Sequence, residues 1–369
     1  MRNKFRTFVK KYLPFVSQAY SAVRTIQEKK KIEHLNEMYR STIAPLLDPA
    51  VLEQKIARLD AATSSERKTY YVIAQQNTKV GIYGYLNCFM PHIAYAVAKG
   101  YIPVIDMRTY GNIYVPKECF GSLNAWELFF RQPMDVGLDD LSDGKVLRCP
   151  DMLWYRGMPN SCPMMSDKEL AMWAVLYKKY IRHNEKSECY ISDESRSILQ
   201  NPKNTVGVIY RGTTYTKGQA TGHPIQPTMK MLAEAVEDMI CRNNVEYVYL
   251  ASDEKSIVDY MNNRFPGKVL INKRVYYDEV EGIDYSRYNV DGTDIVGNLF
   301  SRSDNEYLIG IEYISSMNLV AQCGYLVAGA CGGCTAVLYM NGLQYREHKV
   351  FDLGKYGKDP IPKDGEELT

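Results

Sequence analysis

Residues 204–226, reading NTVGVIYRGTTYTKGQATGHPIQ, constrain this chain more than any other stretch. The run Val206, Gly207, Val208, Ile209 and Tyr210 is apolar and largely β-branched, without polar alternation, which predicts a buried strand. Arg211, Gly212, Thr213 and Thr214 follow, so a guanidinium stands where a loop leaves a sheet. Arginine's planar fork matches a phosphate and keeps its charge at any working pH. Gly212 lets a ligand approach the backbone, and the threonine hydroxyls are donors. A polar loop then reaches His223, Pro224, Ile225 and Gln226, ahead of an apolar-periodic helix from Met229 to Met239. Strand, anion-binding loop and helix in that order build a nucleotide site at the carboxyl end of a parallel sheet. The same residues also suit a surface loop whose arginine pairs with a carboxylate.

The chain is long enough, at 369 residues, for two domains, and its hydrophobic and charged fractions are those of a globular protein. A formal net charge of +2 gives no global signal for nucleic acid. Nine cysteines at irregular spacing include one C-x-x-C, Cys331 to Cys334, and no second pair to complete a zinc site. That usage fits a reduced, cytoplasmic compartment. Cys331 and Cys334 read as small residues in a tight loop rather than as ligands or a disulfide. No run of 18 apolar residues is present, so no membrane span is expected. Residues 1–31 carry nine Lys or Arg against one acid, Glu28, interleaved with Phe5, Phe8, Tyr12, Phe15 and Tyr20. Such a segment suits the surface of an anionic membrane, or a solvated helix lying on the body of the protein.

Residues 32–59 continue a helical pattern, and Ala61 to Ser65 read as a linker. Tyr70 to Ala74 is a strand, followed by a Gly-containing turn through Gly81, Gly84 and Asn87, a helix from Pro91 to Ala98 and its cap at Gly100. A second strand ends on Asp106, completing a βαβ unit whose loop lies at the carboxyl edge. Aromatic clusters at Trp126–Phe130 and Trp154–Tyr155 suit sugar binding or simply core packing. Helix 168–182 bridges the halves, and residues 201–204 mark the boundary.

Beyond the central stretch, a strand through Tyr249 and Leu250 ends on Asp253 and Glu254. Residues 273–302 are irregular and acidic, as a lid would be, and residues 307–321 form a helix bearing Glu312. A strand through Val327 leads to Ala330, Cys331, Gly332, Gly333, Cys334 and Thr335, a second phosphate cradle at a helix N-terminus. The tail after Leu353 reads as disordered.

The second half resembles the fucosyltransferase-like glycosyltransferases, which include the α1,6-fucosyltransferases and, more distantly, the protein O-fucosyltransferases. That family carries H-x-R-R-T-D at a strand end and then H-P-I before a helix. Arg211, Thr213 and His223, Pro224, Ile225 fall in that register without a gap. Residues 248–253, VYLASD, are similar to the family's VYLATD strand, and the loop after Val327 to its last nucleotide-facing turn. The chain is similar as well to bacterial capsule and lipopolysaccharide glycosyltransferases.

The resemblance implies an α/β, GT-B-like protein of two facing Rossmann-like domains behind an N-terminal helical extension. The expected division is 1–65 extension, 66–203 acceptor side, 204–345 donor side and 346–369 tail. It implies inverting, metal-independent transfer of a sugar, fucose from GDP-fucose, onto a glycan or lipid-linked oligosaccharide. The acceptor would be bacterial surface polysaccharide, and the enzyme peripheral at the inner face of the membrane. The donor site would comprise Tyr210, Arg211, Gly212, Thr213, His223, Asp253, Cys331, Gly332, Gly333 and Thr335. Arg211, Asp253 and Glu312 would be catalytic, and Gly84, Asn87, Asp106 and Gln219 would line the acceptor cleft. Three departures stand out. Ile209 replaces the family's guanine-holding histidine, Gly212 its second arginine, and Gln219 its glutamate base. Glutamine takes no proton, so a base must come from elsewhere (Asp253, Asp304, Glu306, Glu312 or Asp106), or the reaction is dissociative, or the site is inactive. A UDP- or dTDP-sugar donor, and a non-catalytic binding relative, stay open beside the GDP-sugar reading.

Overall fold

The computed structural model describes residues 30, 33–62, 68–74, 81–149, 165–219, 221–280 and 300–357, with the side chains of Thr213 and Thr214 left aside. The basic segment 1–29, the linker residues Thr63, Ser64 and Ser65, the cluster around Trp154 and most of the expected lid (281–299) lie outside the described residues. No described helix is long and apolar enough to cross a membrane.

The first half is built on three parallel strands, β1 (Lys68–Ala74), β2 (Ile102–Asp106) and β3 (Gly144–Arg148), in the order β2-β1-β3. The central strand buries Tyr70, Tyr71, Val72 and Ile73, which is why it reads as an unbroken apolar run. Ahead of the sheet, the expected single helix over 32–59 is interrupted. A π-turn (Tyr39–Ile43) and a 3-10 turn (Ala44–Leu47) precede α1 (Pro49–Ala62). Pro45 and Pro49 lack the N–H donors that a continuous helix needs there.

A larger departure follows β1. The expected turn through Gly84 and Asn87 is absent, because α2 runs from Ile82 to Lys99 with Pro91 inside it. Fourteen of its side chains are buried, Tyr83, Leu86, Phe89 and Ile93 among them, and that burial outweighs the one backbone bond lost at Pro91. Gly100 ends the helix in the left-handed region, as expected.

Helices α3 (Asp167–Tyr180) and α4 (Glu185–Ile198) lead to the second half. Its five parallel strands are β4 (Thr205–Tyr210), β5 (Tyr247–Ser252), β6 (Val269–Leu270), β7 (Tyr325–Gly329) and β8 (Glu347–Phe351), ordered β6-β5-β4-β7-β8. β4 is central and wholly buried. Val206, Val208 and Tyr210 pack with Leu232 and Val236 of α6 (Met229–Asn243), and with Ile257 of α7 (Lys255–Arg264). Ile209, with Tyr249 and Ala251, faces the other way, toward Ile311, Ile314 and Met317 of α8 (Asn305–Gln322). Helix and sheet approach closely there: a Cβ on Gly207 would lie 2.9 Å from Val320.

Two expectations about the C-terminus are corrected. β8 falls within the presumed tail, and residues 354–357 are ordered against the His223 loop. Gly354 and Tyr356 carbonyls accept the Ile225 and Gly222 amides, and the Tyr356 amide binds the His223 carbonyl. These partners are far away in sequence, so composition gave no sign of them.

The two halves share one core. A single cluster of buried residues joins Trp126, Phe129 and Trp173 of the first half to Ile311 and Met317 of α8 and Val337 of α9 (Gly332–Asn341). At the seam the Phe129 and Tyr307 rings stack 5.5 Å apart, and a Cβ on Gly310 would lie 2.3 Å from Phe129.

Candidate functional site

The parallel register of β4 and β5 pairs Tyr210 with Ser252, so the residues that follow each strand emerge side by side. Arg211 and Asp253 therefore meet. Arg211 Nη1 lies 3.0 Å from Asp253 Oδ2, and the Gly212 amide donates to Asp253 Oδ1 at 3.3 Å. Asp253 is almost fully enclosed while Arg211 keeps 22% of its side chain exposed, so only the guanidinium can meet a ligand. Of the two sequence readings of Arg211, the carboxylate partner is the one observed, and that partner is buried. Burial opposes its charge, but Asp253 more than compensates and holds the guanidinium well above the ordinary arginine range.

Aromatic rings frame the cation. Arg211 Cζ lies 5.5 Å from the ring centres of both Tyr215 and Tyr313. Tyr215, in the short helix α5 (Thr213–Thr216), reaches His223, whose ring centre is 5.0 Å away. Burial, and then the positive charge of Arg211, push the His223 imidazole below its ordinary range, so it is neutral at pH 7. Gln226 ties this loop to the sheet by donating to the Ala330 carbonyl at 2.8 Å. Thr213 opens α5, and its side chain lies outside the description.

On the other side of β4, at the same carboxyl edge, β7 leads into the N-terminus of α9. The helix starts at Gly332, so the expected cradle is its first turn. Cys331 is the N-cap, its sulfur accepting the Cys334 amide, while Thr335 donates from amide and hydroxyl to the Cys331 carbonyl. Gly333 is wedged, since a Cβ there would sit 2.6 Å from the Tyr313 hydroxyl. Asn87 of α2 meets this turn from the first half. Its amide donates to the Gly332 carbonyl at 3.0 Å and its oxygen accepts from Tyr339 at 2.9 Å. A Cβ on Gly332 would lie 3.7 Å from the Gly84 nitrogen. α2 and α9 follow the carboxyl ends of β1 and β7, so the carboxyl edges of the two sheets face one another here.

Other expected site residues lie elsewhere or are occupied. Tyr210 packs in the opposite core, and burial, with Glu254 and Asp253 nearby, pushes its hydroxyl up to about 12. Asp106 is enclosed in its own turn, accepting from the Arg108 and Thr109 amides, the Thr109 hydroxyl and Arg148. Gln219 is exposed at φ +43°, with its amide on the Thr216 carbonyl. Glu312 is buried and held by both arms of Arg302, at 2.6 and 3.0 Å. Among the described residues, no group of three or more His, Cys, Asp or Glu is placed to hold a metal ion.

The sequence reading missed Tyr313, Tyr277, Arg274 and the carboxylate of Glu254. Tyr277 donates its amide to the Asp253 carbonyl and lies within electrostatic reach of Arg211, Arg274 and Arg302. Glu254 is buried against Gly212, where any Cβ would fall 1.9 Å from its carboxyl carbon. That contact explains the glycine at position 212, where the fucosyltransferase-like pattern has an arginine. Paired acids after β5 were a visible signal for Glu254; nothing local marked the others.

No family model matches the chain, and no curated protein matches it. Among solved structures it is similar to NodZ α-1,6-fucosyltransferase soaked with GDP-fucose, at 16% identity, 79% of this chain, 98% of that chain and a TM-score of 0.49. It is similar to fucosyltransferase NodZ from Bradyrhizobium at 15% identity, with 74% and 93% covered and a TM-score of 0.44. POFUT1 in complex with GDP gives 10% identity, 80% and 99% coverage and a TM-score of 0.42. The likeness is to fucosyltransferase structures.

Proposed function

We propose that the protein is a glycosyltransferase that moves a sugar from a nucleoside diphosphate to a glycan acceptor by inverting transfer without a metal. The observation that carries this reading is the Arg211–Asp253 pair beside the α9 N-terminus at one carboxyl edge, which Asn87 meets from the carboxyl edge of the other sheet. As the glycosidic bond breaks, charge develops on the leaving diphosphate, and a fixed cation with oriented N–H groups stabilises it. In this reading Arg211 supplies the charge, and the Gly332 and Gly333 amides at the start of α9 supply the donors. Asp253 orients the guanidinium rather than taking a proton, since its carboxylate is already engaged twice. Glu312 is engaged by Arg302. These engagements favour the dissociative account, in which pull on the leaving group matters more than a base.

GDP-fucose, the ligand of the NodZ structure, is the donor to test first. The acceptor we propose is a polysaccharide or lipid-linked glycan at the inner face of a bacterial membrane, approached through residues 1–31. The exposed, self-bonded Gln219 favours a second reading, a non-catalytic nucleotide-binding relative.

Thermal shift with GDP, UDP, dTDP and their sugars is the test. At a hundredfold excess over Kd a ligand specific for the folded state adds about 2.7 kcal/mol. GDP is expected to raise Tm, and Arg211→Ala to abolish the rise. Arg211→Lys, which keeps charge without the fork, should retain a reduced shift. An unchanged shift in Arg211→Ala removes the phosphate assignment. Binding without hydrolysis or transfer would favour the non-catalytic reading.

A further inference from the structure

The turn at the start of α9 carries chemistry that sugar transfer does not use. Cys331 and Cys334 are both reduced thiols, and the Cys331 sulfur sits 3.3 Å from the Cys334 amide nitrogen. Arg211 lies within electrostatic reach of that sulfur. Tyr313, beside the guanidinium, rests its hydroxyl against Gly333 between the two cysteines. A helix N-terminus, a neighbouring guanidinium and a second thiol three residues on are the settings that make a cysteine sulfur nucleophilic. Cys331 has all three.

We propose that Cys331 is a peroxide-reactive thiol that forms a disulfide with Cys334 and so switches off the nucleotide site. The switch rests on the reading of this cleft as a nucleotide site. In the first step the Cys331 thiolate attacks one peroxide oxygen. An S–O bond forms, the O–O bond breaks, and the departing hydroxide takes a proton to become water. The sulfur is now a sulfenic acid. In the second step Cys334 sulfur attacks it, the S–S bond forms, the S–O bond breaks, and the hydroxide leaves with the Cys334 proton. Two thiols and one peroxide thus give one disulfide and two waters. Cys331 is 5% exposed and Cys334 fully enclosed, so the oxidant must be as small as peroxide, and a protein disulfide is excluded.

The bridge has a structural consequence at the seam. Cys331 is the extended N-cap, and its sulfur is held by the Cys334 amide. Joining the two sulfurs takes it off that amide and draws the two Cβ atoms to about 3.5–4.5 Å, which pulls on the turn. Gly333 is wedged against Tyr313 and Met317, so the Cys331–Gly332 side yields. Gly332 then leaves Asn87, the Cys334 amide loses its sulfur acceptor, and the N–H groups of the turn rotate from the cleft.

The test treats the full chain with hydrogen peroxide, maps its peptides and titrates it with GDP. A Cys331–Cys334 linkage is expected, together with a roughly tenfold or greater loss of GDP affinity that a thiol reductant reverses. Cys334→Ser should bind GDP when reduced and form no linkage. The proposal falls if peroxide that oxidises the exposed Cys189 and Cys241 leaves 331 and 334 unlinked, or if the linked protein binds GDP as before. Reduced protein that binds none of the nucleoside diphosphates would instead remove the nucleotide reading, with the peptide map still reporting whether the thiols join.

Discussion

His183 is held where its charged form is poorly tolerated. It follows α3, stacks on Phe130 with ring centres 5.1 Å apart, and burial pushes its imidazole down to about 4. The unfolded chain takes up that proton near the ordinary value of 6.5. Between those two values the unfolded state binds more protons than the folded one. Stability is therefore complete above pH 6.5 and falls as the pH drops toward 4, by roughly 3 kcal/mol. Urea titrations of wild type and His183→Asn across that window should diverge by this amount; parallel curves would show that the site admits the charge. The same scale explains Gly212. Its missing side chain makes room for a buried carboxylate, a reason invisible in a sequence where Gly212 and Glu254 are 42 positions apart.

At the scale of elements, β4, β5 and β7 were legible because their apolar runs are continuous, and β4 and β5 end on Arg211 and Asp253. The carboxyl-edge pairing of those two residues follows from the parallel register alone. α2 was not legible. Gly84 and Pro91 are turn signals in local terms, and only the burial of Tyr83, Leu86, Phe89 and their neighbours shows that the helix runs through them. β8 and the ordered residues 354–357 were hidden for a related reason, since their partners at 325–329 and 222–225 are remote in sequence. Asn87 is the residue where the misreading mattered most. Expected in a cleft-lining turn, it instead joins α2 to α9 through Gly332 and Tyr339. Asn87→Ala leaves a buried carbonyl and a buried hydroxyl without that partner, at a cost of about 3 kcal/mol. Denaturant midpoints should record the loss, and a change near zero would mean that water replaces the amide.

At the scale of the whole molecule, the expected pair of facing domains is present as two parallel sheets, but a divide at residue 204 does not separate two cores. α8 and α9 belong by sequence to the second half, yet they bury Ile311, Met317 and Val337 with Trp126, Phe129 and Trp173 of the first. The fold should thus unfold in one transition, with near-ultraviolet signals from Trp126 and Trp173 coinciding with loss of helix. Two separated transitions would show that the halves are independent. The seam at Phe129, Gly310 and Tyr307 also bears on how quickly the cleft can fill. Among the described residues the halves are fused through a common core, so a ligand should arrive at a surface already near its final shape. Its capture should then behave as a simple collision, with an observed rate that climbs in proportion to ligand concentration and never levels off at the tempo of a closing jaw.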